Sequence, residues 1–158
     1  MSAPAFVVSR ATDAAEAPAL HALVQGVFGA LKIDPPSSML KETVADVAAR
    51  LSAETCFVAR AEGGLIGGVF CVPQGDALYI GRLAVAPPWR RRGVAGALIE
   101  AAKGEAGRIG ARRMTLKARI ALADNVALFR RHGFVIVAEE THPGYRRPTS
   151  YAMELLLA

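Results

Sequence analysis

The sequence predicts a single mixed α+β domain over residues 1–158, with a central sheet of about seven strands flanked by about four helices. Short apolar strand patterns bounded by glycine and proline turns alternate with helical patterns along the whole chain. The three strand patterns between residues 56 and 86 are joined by short turns, which makes those strands antiparallel. One later strand is reached through a helix, and such crossovers join parallel strands. We therefore expect a mostly antiparallel sheet with one parallel pair.

The N-terminal segment predicts a strand followed by a helix. The apolar residues of Phe6–Arg10 indicate the strand. Asp13 and Glu16 have the spacing of a capping box, which predicts that a helix begins here. Its apolar stripe begins at Leu20 and recurs every three or four residues. His21 on this helix is interpreted as a surface histidine, or one with a hydrogen-bond partner, and not as a catalytic residue.

A second helix and a hairpin follow. The break at Asp34-Pro35-Pro36 ends the first helical pattern, and apolar residues from Leu40 to Leu51 then recur at a 4-3-4 spacing. Cys56–Ala61 and Leu65–Val72 are two apolar strand patterns. The tight turn Glu62-Gly63-Gly64 separates them, which predicts an antiparallel hairpin.

The second half of the chain supplies the crossover. Leu78–Ala86 predicts a third strand of the antiparallel set, and Val94–Ile109 predicts a helix that ends at Gly110. The strand Arg113–Ala118 is expected to be parallel to Leu78–Ala86 because a helix connects the two. The remaining predicted elements are a short helix over Asp124–His132 and strands over Phe134–Glu139 and Ser150–Leu157.

The connection between Leu78–Ala86 and the next helix has the features of an anion-binding turn. Pro87-Pro88 ends the strand, because neither proline can donate a ladder hydrogen bond. The arginines Arg90–Arg92 follow, then Gly93 and Gly96 at the start of the helix. The first N–H groups of a helix lack internal partners and lie at the positive end of its dipole. Glycines let an anion approach the backbone, so the turn predicts a phosphate site on the N–H groups between residues 91 and 96.

Two other common phosphate sites do not match. A P-loop closes with glycine, lysine and a serine or threonine, and this turn has neither the lysine nor the hydroxyl. The spacing of Gly93-Val94-Ala95-Gly96 also differs from the G-x-G-x-x-G dinucleotide fingerprint. A basic cap on an ordinary helix is the remaining alternative.

The stretch Arg90-x-x-Gly93-x-Ala95 resembles the Q/R-x-x-G-x-G/A signature of the GNAT superfamily of N-acetyltransferases. In that family the signature binds the pyrophosphate of acetyl-coenzyme A. Leu83-Ala84-Val85-x-Pro87 is similar to the family's L-x-V-x-P strand end. The resemblance covers almost the whole chain and implies the GNAT acyl-CoA N-acyltransferase fold. The cofactor-binding residues that it implies here are Leu83, Ala84, Val85, Arg90, Arg91, Arg92, Gly93, Val94, Ala95 and Gly96.

A second segment, Asp124–Phe134, looks like the family's N-x-x-A-x-x-[LF]-Y-x-x-x-G-F motif, slightly compressed. Asn125 matches the asparagine that hydrogen-bonds the pantetheine arm of the cofactor. Phe129 stands where the family has a tyrosine, which often protonates the departing thiolate. Phenylalanine has no proton to donate, but a thiol with a pKa near ~8.5 is a tolerable leaving group at neutral pH. The resemblance thus implies cofactor contacts for Asn125 and Phe129 and leaves the proton donor open.

The candidate proton donors are Tyr145 and His142 in the loop before the last strand, Tyr79 on the strand that precedes the turn, and Tyr151. Each also has an ordinary interpretation as a packing or surface residue. The attacking amine must lose a proton before it reacts. Glu139-Glu140 is a candidate base acting through water, although solvent-facing glutamates are the preferred interpretation.

Composition limits the other function classes. The 158 residues carry a net charge of +5 and are 53% hydrophobic, with no run of basic residues interleaved with aromatics, so no nucleic-acid partner is expected. Cys56 and Cys71 lack metal-ligand spacing and lie in apolar strand patterns, so they are interpreted as reduced core residues and no metal is expected. No signal peptide and no apolar run of spanning length is seen, so a cytoplasmic protein without a membrane partner is expected.

The resemblance implies an N-acetyltransferase that moves acetyl from acetyl-coenzyme A to a primary amine by direct attack in a ternary complex. The amine belongs to a small molecule, a protein N-terminus or a lysine. An acyl-coenzyme A binding regulatory domain without catalysis is the first alternative, and Phe129 favours it. A nucleic-acid-binding module that uses Arg90–Arg92 is the second. A homodimer is expected only because many proteins that this chain resembles form one.

Overall fold

The computed structural model describes residues 5–157 of the chain. Within them it contains a seven-stranded sheet and four α-helices. The strands are β1 Val7–Ala11, β2 Thr55–Ala61, β3 Gly64–Gln74, β4 Ala77–Val85, β5 Arg113–Arg119, β6 Val135–Glu140 and β7 Ser150–Leu156. The helices are α1 Ala17–Gly29, α2 Val44–Ala53, α3 Val94–Arg108 and α4 Ala123–Arg131.

The sheet is mixed, with the strand order β1-β2-β3-β4-β5-β7-β6. β1 pairs antiparallel with β2, β2 with β3, and β7 with both β5 and β6. β4 and β5 are parallel, with Ala77 opposite Arg113 and Tyr79 opposite Thr115. The helix α3 makes the crossover between these two strands. The predicted mostly antiparallel sheet with one parallel pair is confirmed.

The chain divides into two compact units. Among the described residues, one unit holds 5–72 together with Arg82–Ala102, and the other holds Pro73–Gly81 and 103–157. In the first unit a buried cluster joins α1, α2 and the first strands, and in the second unit apolar residues of β5, α4 and β7 are buried. The buried cluster of the first unit includes Leu20, Val47, Leu51, Cys56, Val58 and Phe70.

The two cysteines lie in the core of the first unit, as the strand patterns predict. Both are free and buried. Burial, with smaller contributions from Cys71 and Glu54, raises the pKa of Cys56 to about 12. The Cys56 thiol therefore stays protonated at neutral pH and behaves as a small apolar core residue.

The start of the first helix differs from the prediction. Asp13 caps a 3₁₀ turn over Ala14–Glu16, with its carboxylate accepting from the N–H of Ala15 at 2.8 Å, and α1 begins only after this turn. The predicted capping box is wrong, because the Glu16 carboxylate forms an ion pair with Arg60 of β2 instead. A carboxylate next to a strand guanidinium gains a charge-assisted interaction that the backbone N–H cannot match.

The second helix also begins later than its apolar spacing predicts. Leu40 lies in a 3₁₀ turn over Ser38–Lys41, and α2 begins at Val44. Thr43 and Asp46 form the capping box: Asp46 N–H donates to the Thr43 hydroxyl at 3.1 Å, and Thr43 N–H donates to the Asp46 carboxylate at 2.8 Å. Helix capping overrides the apolar spacing here because it satisfies N–H groups that the helix leaves open.

Candidate functional site

The turn after β4 follows the sequence prediction closely. β4 ends at Val85, and Pro87–Trp89 form a 3₁₀ turn. The N–H of Ala86 still donates to the carbonyl of Ile66 in β3 at 2.8 Å, whereas the N–H of Trp89 turns back to the carbonyl of Ala86 at 2.8 Å. The prolines thus end the strand and redirect the chain toward α3.

Gly93 directly precedes α3 and has a left-handed backbone, with φ +84°. A Cβ atom at this position would have no neighbour within 4 Å, so the conformation rather than lack of space requires glycine. The N–H of Ala97 donates to the carbonyl of Gly93 at 3.0 Å, which makes this the first helical hydrogen bond. The N–H groups of residues 93–96 therefore have no acceptor within the helix.

The three arginines of the turn are exposed and concentrate positive charge beside these N–H groups. Within residues 5–157 the side chains of Arg90 and Arg91 form no hydrogen bond or ion pair. The guanidinium carbon of Arg92 lies 5.0 Å from the ring centroid of Trp89, whose ring packs edge-on against Phe6 at 6.3 Å. Cations beside open helix N–H groups form an environment that stabilises a bound anion such as a phosphate.

The start of α3 is fixed by close packing on β3. Val94 and Leu98 are fully buried. A Cβ at Gly67 would lie 2.9 Å from Cγ1 of Val94 and 3.1 Å from Cδ1 of Leu98, so only glycine at this place lets the helix approach. The small residue on β3 therefore sets where the N–H groups of α3 are held.

Arg82 on β4 is a further residue of interest that the sequence analysis did not single out. Its backbone is left-handed, with φ +55°. Its guanidinium donates two hydrogen bonds to the Glu42 carboxylate, at 2.9 Å and 2.7 Å, and Arg50 donates a third at 2.7 Å. Burial alone would raise the pKa of Glu42, but the hydrogen bonds from Arg82 and Arg50 outweigh burial and lower it. No motif or periodicity links Glu42 to Arg82, so the sequence does not predict this pair.

The parallel ladder between β4 and β5 joins Ala77–Tyr79 to Arg113–Thr115. Leu83–Val85, the strand end matched to the family motif, come after this ladder and directly after Arg82. On its other side β4 is still bound to β3, as the bond from Ala86 to Ile66 shows. The strand end is therefore held along one edge.

Asn125 and Phe129 both lie on α4, in the second unit. Asn125 is exposed in the first turn, and within residues 5–157 its side-chain amide forms no hydrogen bond. Phe129 is 8% exposed and packs edge-on against Phe134, with ring centroids 6.1 Å apart. Gly133, with φ +96°, ends the helix and leads into β6, as the motif predicts. The cofactor contacts of Asn125 and Phe129 stay predictions.

His142 and Tyr145 lie together in the loop between β6 and β7. The His142 ring hydrogen-bonds through Nδ1 to the Thr149 hydroxyl, which also accepts from the His142 backbone N–H at 3.1 Å. The N–H of Tyr145 donates to the His142 carbonyl at 3.0 Å, and the two rings meet edge-on at 6.4 Å. Tyr145 is 36% exposed, so its hydroxyl-bearing ring is accessible to solvent.

The third candidate donor, Tyr79, lies in different surroundings. It is half-buried on β4 and lines a groove of about 490 Å³ on the sheet of the second unit. Its ring leans along the strand over Gly81, where a Cβ would lie 3.2 Å from Tyr79 Cε1. The other polar residues around the groove are Gln74, Arg113, Thr115, Lys117 and Glu154.

Three lesser candidates also have clear positions. His21 bonds through Nε2 to the Glu42 carbonyl at 2.8 Å, which confirms the interpretation of a partnered histidine. Glu139 and Glu140 are exposed on β6, and Glu140 pairs with Lys117 at 3.1 Å.

In residues 5–157 no three possible metal ligands lie together. No helix in the described part of the chain is long and apolar enough to cross a membrane.

Residues 19–134 match the acetyltransferase (GNAT) family model. The chain is similar in structure to a GNAT acetyltransferase from Streptococcus pneumoniae, with 18% identity and a TM-score of 0.80 over 96% of this chain and 99% of that one. The ribosomal-protein-S18-alanine N-acetyltransferase from Escherichia coli is 19% identical, with a TM-score of 0.76 over 96% of this chain and 93% of that one. The PaiA N-acetyltransferase from Thermoplasma acidophilum, solved with coenzyme A, is 12% identical, with a TM-score of 0.80 over 99% of this chain and 100% of that one.

No curated protein sequence matches the chain. At identities below 20%, the likeness to solved structures shows a shared fold and no more. The match to the family model shows family membership as well as fold, because it spans most of the chain and includes the turn after β4 and the segment around Asn125. The predicted family and the predicted fold are both confirmed: the chain belongs to the GNAT acetyltransferase family.

Proposed function

We propose that this protein transfers an acetyl group from acetyl-coenzyme A to a primary amine of a small molecule, a protein N-terminus or a lysine. The observation that carries the proposal is the turn over residues 90–96. It combines four N–H groups without helical acceptors, a left-handed Gly93 and arginines without carboxylate partners in the described chain. These groups are suited to the pyrophosphate of coenzyme A.

The strand end Leu83–Val85 is proposed to hold the acyl end of the cofactor. It follows the last residue of β4 that is paired with β5. Backbone N–H groups at such a position are suitable donors to the thioester carbonyl oxygen, where negative charge develops during attack. Asn125 would contribute its free side-chain amide to the pantetheine arm, as the family motif implies.

In the proposed reaction the protein mainly binds and orients the two substrates. The neutral amine attacks the thioester carbonyl, a C–N bond forms, and the C–S bond breaks to release the thiolate of coenzyme A. The amine loses one proton and the thiolate gains one. Phe129 supplies no proton, so the donor is Tyr145, His142, Tyr79 or water. Binding both substrates together supplies most of the acceleration by orienting the amine and the carbonyl.

The alternative function is an acyl-coenzyme A binding regulatory domain. The observation that favours it is the buried, purely apolar Phe129 at the place where the family has its tyrosine. The two functions share cofactor binding and differ in turnover.

Release of free coenzyme A distinguishes these functions. Purified protein and acetyl-coenzyme A would be incubated with a polyamine, free lysine and a peptide that begins with alanine; the peptide is included because one structural relative is named for ribosomal-protein alanine. An amine-dependent rate of thiol release above that of the Gly93→Val variant is the expected result. Tight binding of acetyl-coenzyme A without release with any amine class would favour the regulatory domain.

A further inference from the structure

Arg82 is a non-glycine residue in a conformation that non-glycine residues rarely adopt. Its φ of +55° lies in the left-handed region, in the middle of the strand β4. Such a backbone is unfavourable for an L-residue with a long side chain, and it persists only when its surroundings enforce it. The Arg82 side chain is bound by Glu42, which lies 40 positions earlier in the chain.

The Arg82–Glu42 contact is bidentate and largely shielded from water. Nε of Arg82 donates to one carboxylate oxygen at 2.9 Å and Nη2 donates to the other at 2.7 Å. The side chains of Arg82 and Glu42 are 16% and 11% exposed. A fork-to-fork pair of this kind fixes the direction of the guanidinium as well as its distance.

Glu42 is held in place independently of Arg82. Its N–H donates to the carbonyl of Met39 at 3.1 Å, its carbonyl is bonded to His21 at 2.8 Å, and its carboxylate accepts from Arg50 at 2.7 Å. These contacts orient the carboxylate in addition to Arg82, so Arg82 binds to a carboxylate that has other partners in the first unit.

Fold stability alone does not explain an ion pair here. Neighbouring residues of β4 at the same alternation, Ile80 and Ala84, are buried and apolar. Replacing a buried ion pair by apolar side chains of similar volume is often neutral or stabilising. A strained residue held by a costly pair is typical of functional positions. The next residues, Leu83–Val85, are those that the proposed function assigns to the acyl end of acetyl-coenzyme A.

We propose that the Arg82–Glu42 pair is a positioning device that holds the left-handed turn in β4 and so orients the N–H groups of Leu83–Val85 toward the thioester. This inference rests on the proposed function. It assigns Arg82 and Glu42 no contact with substrate. Their effect is confined to the acyl end of the cofactor, whereas the pyrophosphate end depends on the separate turn over residues 90–96.

The test uses the double variant Arg82→Met/Glu42→Met, which removes the pair and leaves apolar side chains in its place. Two ligands are titrated by calorimetry: ADP, which presents only a pyrophosphate end, and acetyl-coenzyme A. The expected result is an unchanged affinity for ADP and an affinity for acetyl-coenzyme A that falls by about tenfold, since small displacements of binding groups have effects of this size or larger. Amide hydrogen exchange at Leu83–Val85 should also accelerate.

The control is Arg113→Met/Glu154→Met, which removes the 2.8 Å ion pair between β5 and β7 and also the 3.1 Å pair of Arg113 with Asp76. It should leave both affinities unchanged. Wild-type binding of acetyl-coenzyme A and ADP by the Arg82→Met/Glu42→Met variant would overturn the inference, and so would equal losses for both ligands. If that variant does not fold, Glu42→Gln is titrated with the same two ligands and judged by the same two outcomes. A wild-type protein that binds neither ligand would instead refute the proposed function.

Discussion

Gly67 of β3 faces Val94, the first residue of α3, so closely that a Cβ on Gly67 would lie 2.9 Å from Val94 Cγ1. The same Cβ would lie 3.2 Å from the backbone carbonyl oxygen of Ala84. Rotation of the Val94 side chain would therefore not remove every close contact, because a backbone atom cannot rotate away. The helix that presents the N–H groups is therefore positioned by a glycine of the neighbouring strand.

Gly67→Ala is expected to lower the free energy of unfolding by about 1–3 kcal/mol, the usual cost of inserting a methyl group into a close-packed site. Gly64→Ala, at the start of the same strand, is the control, because its Cβ would meet only an ordinary contact at 3.9 Å. Urea denaturation of both variants measures the difference. Equal stabilities for the two variants would show that the approach of α3 to β3 is not restricted at Gly67.

Tyr145→Phe is expected to slow turnover by about tenfold if Tyr145 protonates the departing thiolate, within the usual range of general acid assistance. The variant keeps the ring that packs on His142 and removes the hydroxyl. Tyr79→Phe and Tyr151→Phe also lose only a hydroxyl and test the other two candidate tyrosines, because a loss of turnover in one of them instead of in Tyr145→Phe would assign the proton to that residue. The measurement is the turnover number and its pH dependence.

His142 is the residue best placed to compensate for Tyr145, because their rings are in contact. The combined change Tyr145→Phe/His142→Ala is therefore the stricter experiment. If it leaves the turnover number and the pH profile unaltered, neither residue donates the proton, and unassisted release of the thiolate is the better account. Because His142 also bonds to Thr149 and helps to close the loop, the thermal midpoint of the variant must be measured in parallel.

The ion pair between Arg82 and Glu42 predicts a pH-dependent stability. The pKa of Glu42 is lowered in the folded protein, where burial is outweighed by hydrogen bonds from Arg82 and Arg50. The stabilisation is therefore fully present above the pKa of an unfolded glutamate, about 4.3, and is lost as the pH falls through the lower folded pKa. Glu42→Gln should cost about 3 kcal/mol at pH 7, because it leaves the largely buried Arg82 guanidinium without its carboxylate, whereas Arg50 keeps its ion pair with Glu54.

This cost should shrink as the pH falls below about 4.3, because the wild-type glutamate is then protonated first in the unfolded state and, at lower pH, in the folded state as well. Denaturation curves of both proteins between pH 7 and pH 3 measure the trend. Glu139→Gln on β6 is the control, an exposed glutamate with no ion pair in the described chain. A cost for Glu42→Gln that stays constant over this range would contradict the assigned pairing.

The features that the sequence predicts well are local. Pro87-Pro88 ends β4, Gly93 takes a left-handed backbone and Gly110 ends α3 with φ +72°, each because the residue type itself restricts or frees the backbone. The parallel pairing of β4 with β5 follows from the helix between them. The family motif is equally local, since its residues are consecutive around the turn.

The features that the sequence analysis missed depend on distant partners. Glu42 and Arg82 lie 40 positions apart, and nothing in either local pattern indicates that they meet. Glu16 likewise forms an ion pair with Arg60 of β2 and does not complete the local helix cap. One missed feature did have a local signal: Thr43-x-x-Asp46 is a capping box, and it would have placed the start of α2 correctly.

The most direct test of the central claim is calorimetric titration of coenzyme A into the wild-type protein and into Gly93→Val. A β-branched residue at φ +84° strains the turn and displaces its N–H groups, but its Cβ meets no neighbour within 4 Å, so the fold should remain intact. Gly104→Val is the control, since it adds the same side chain to α3 at an open position without a left-handed backbone. We predict that coenzyme A binds to the wild type and to Gly104→Val and not to a folded Gly93→Val. Unchanged affinity in Gly93→Val would contradict the assignment of the turn as the pyrophosphate site.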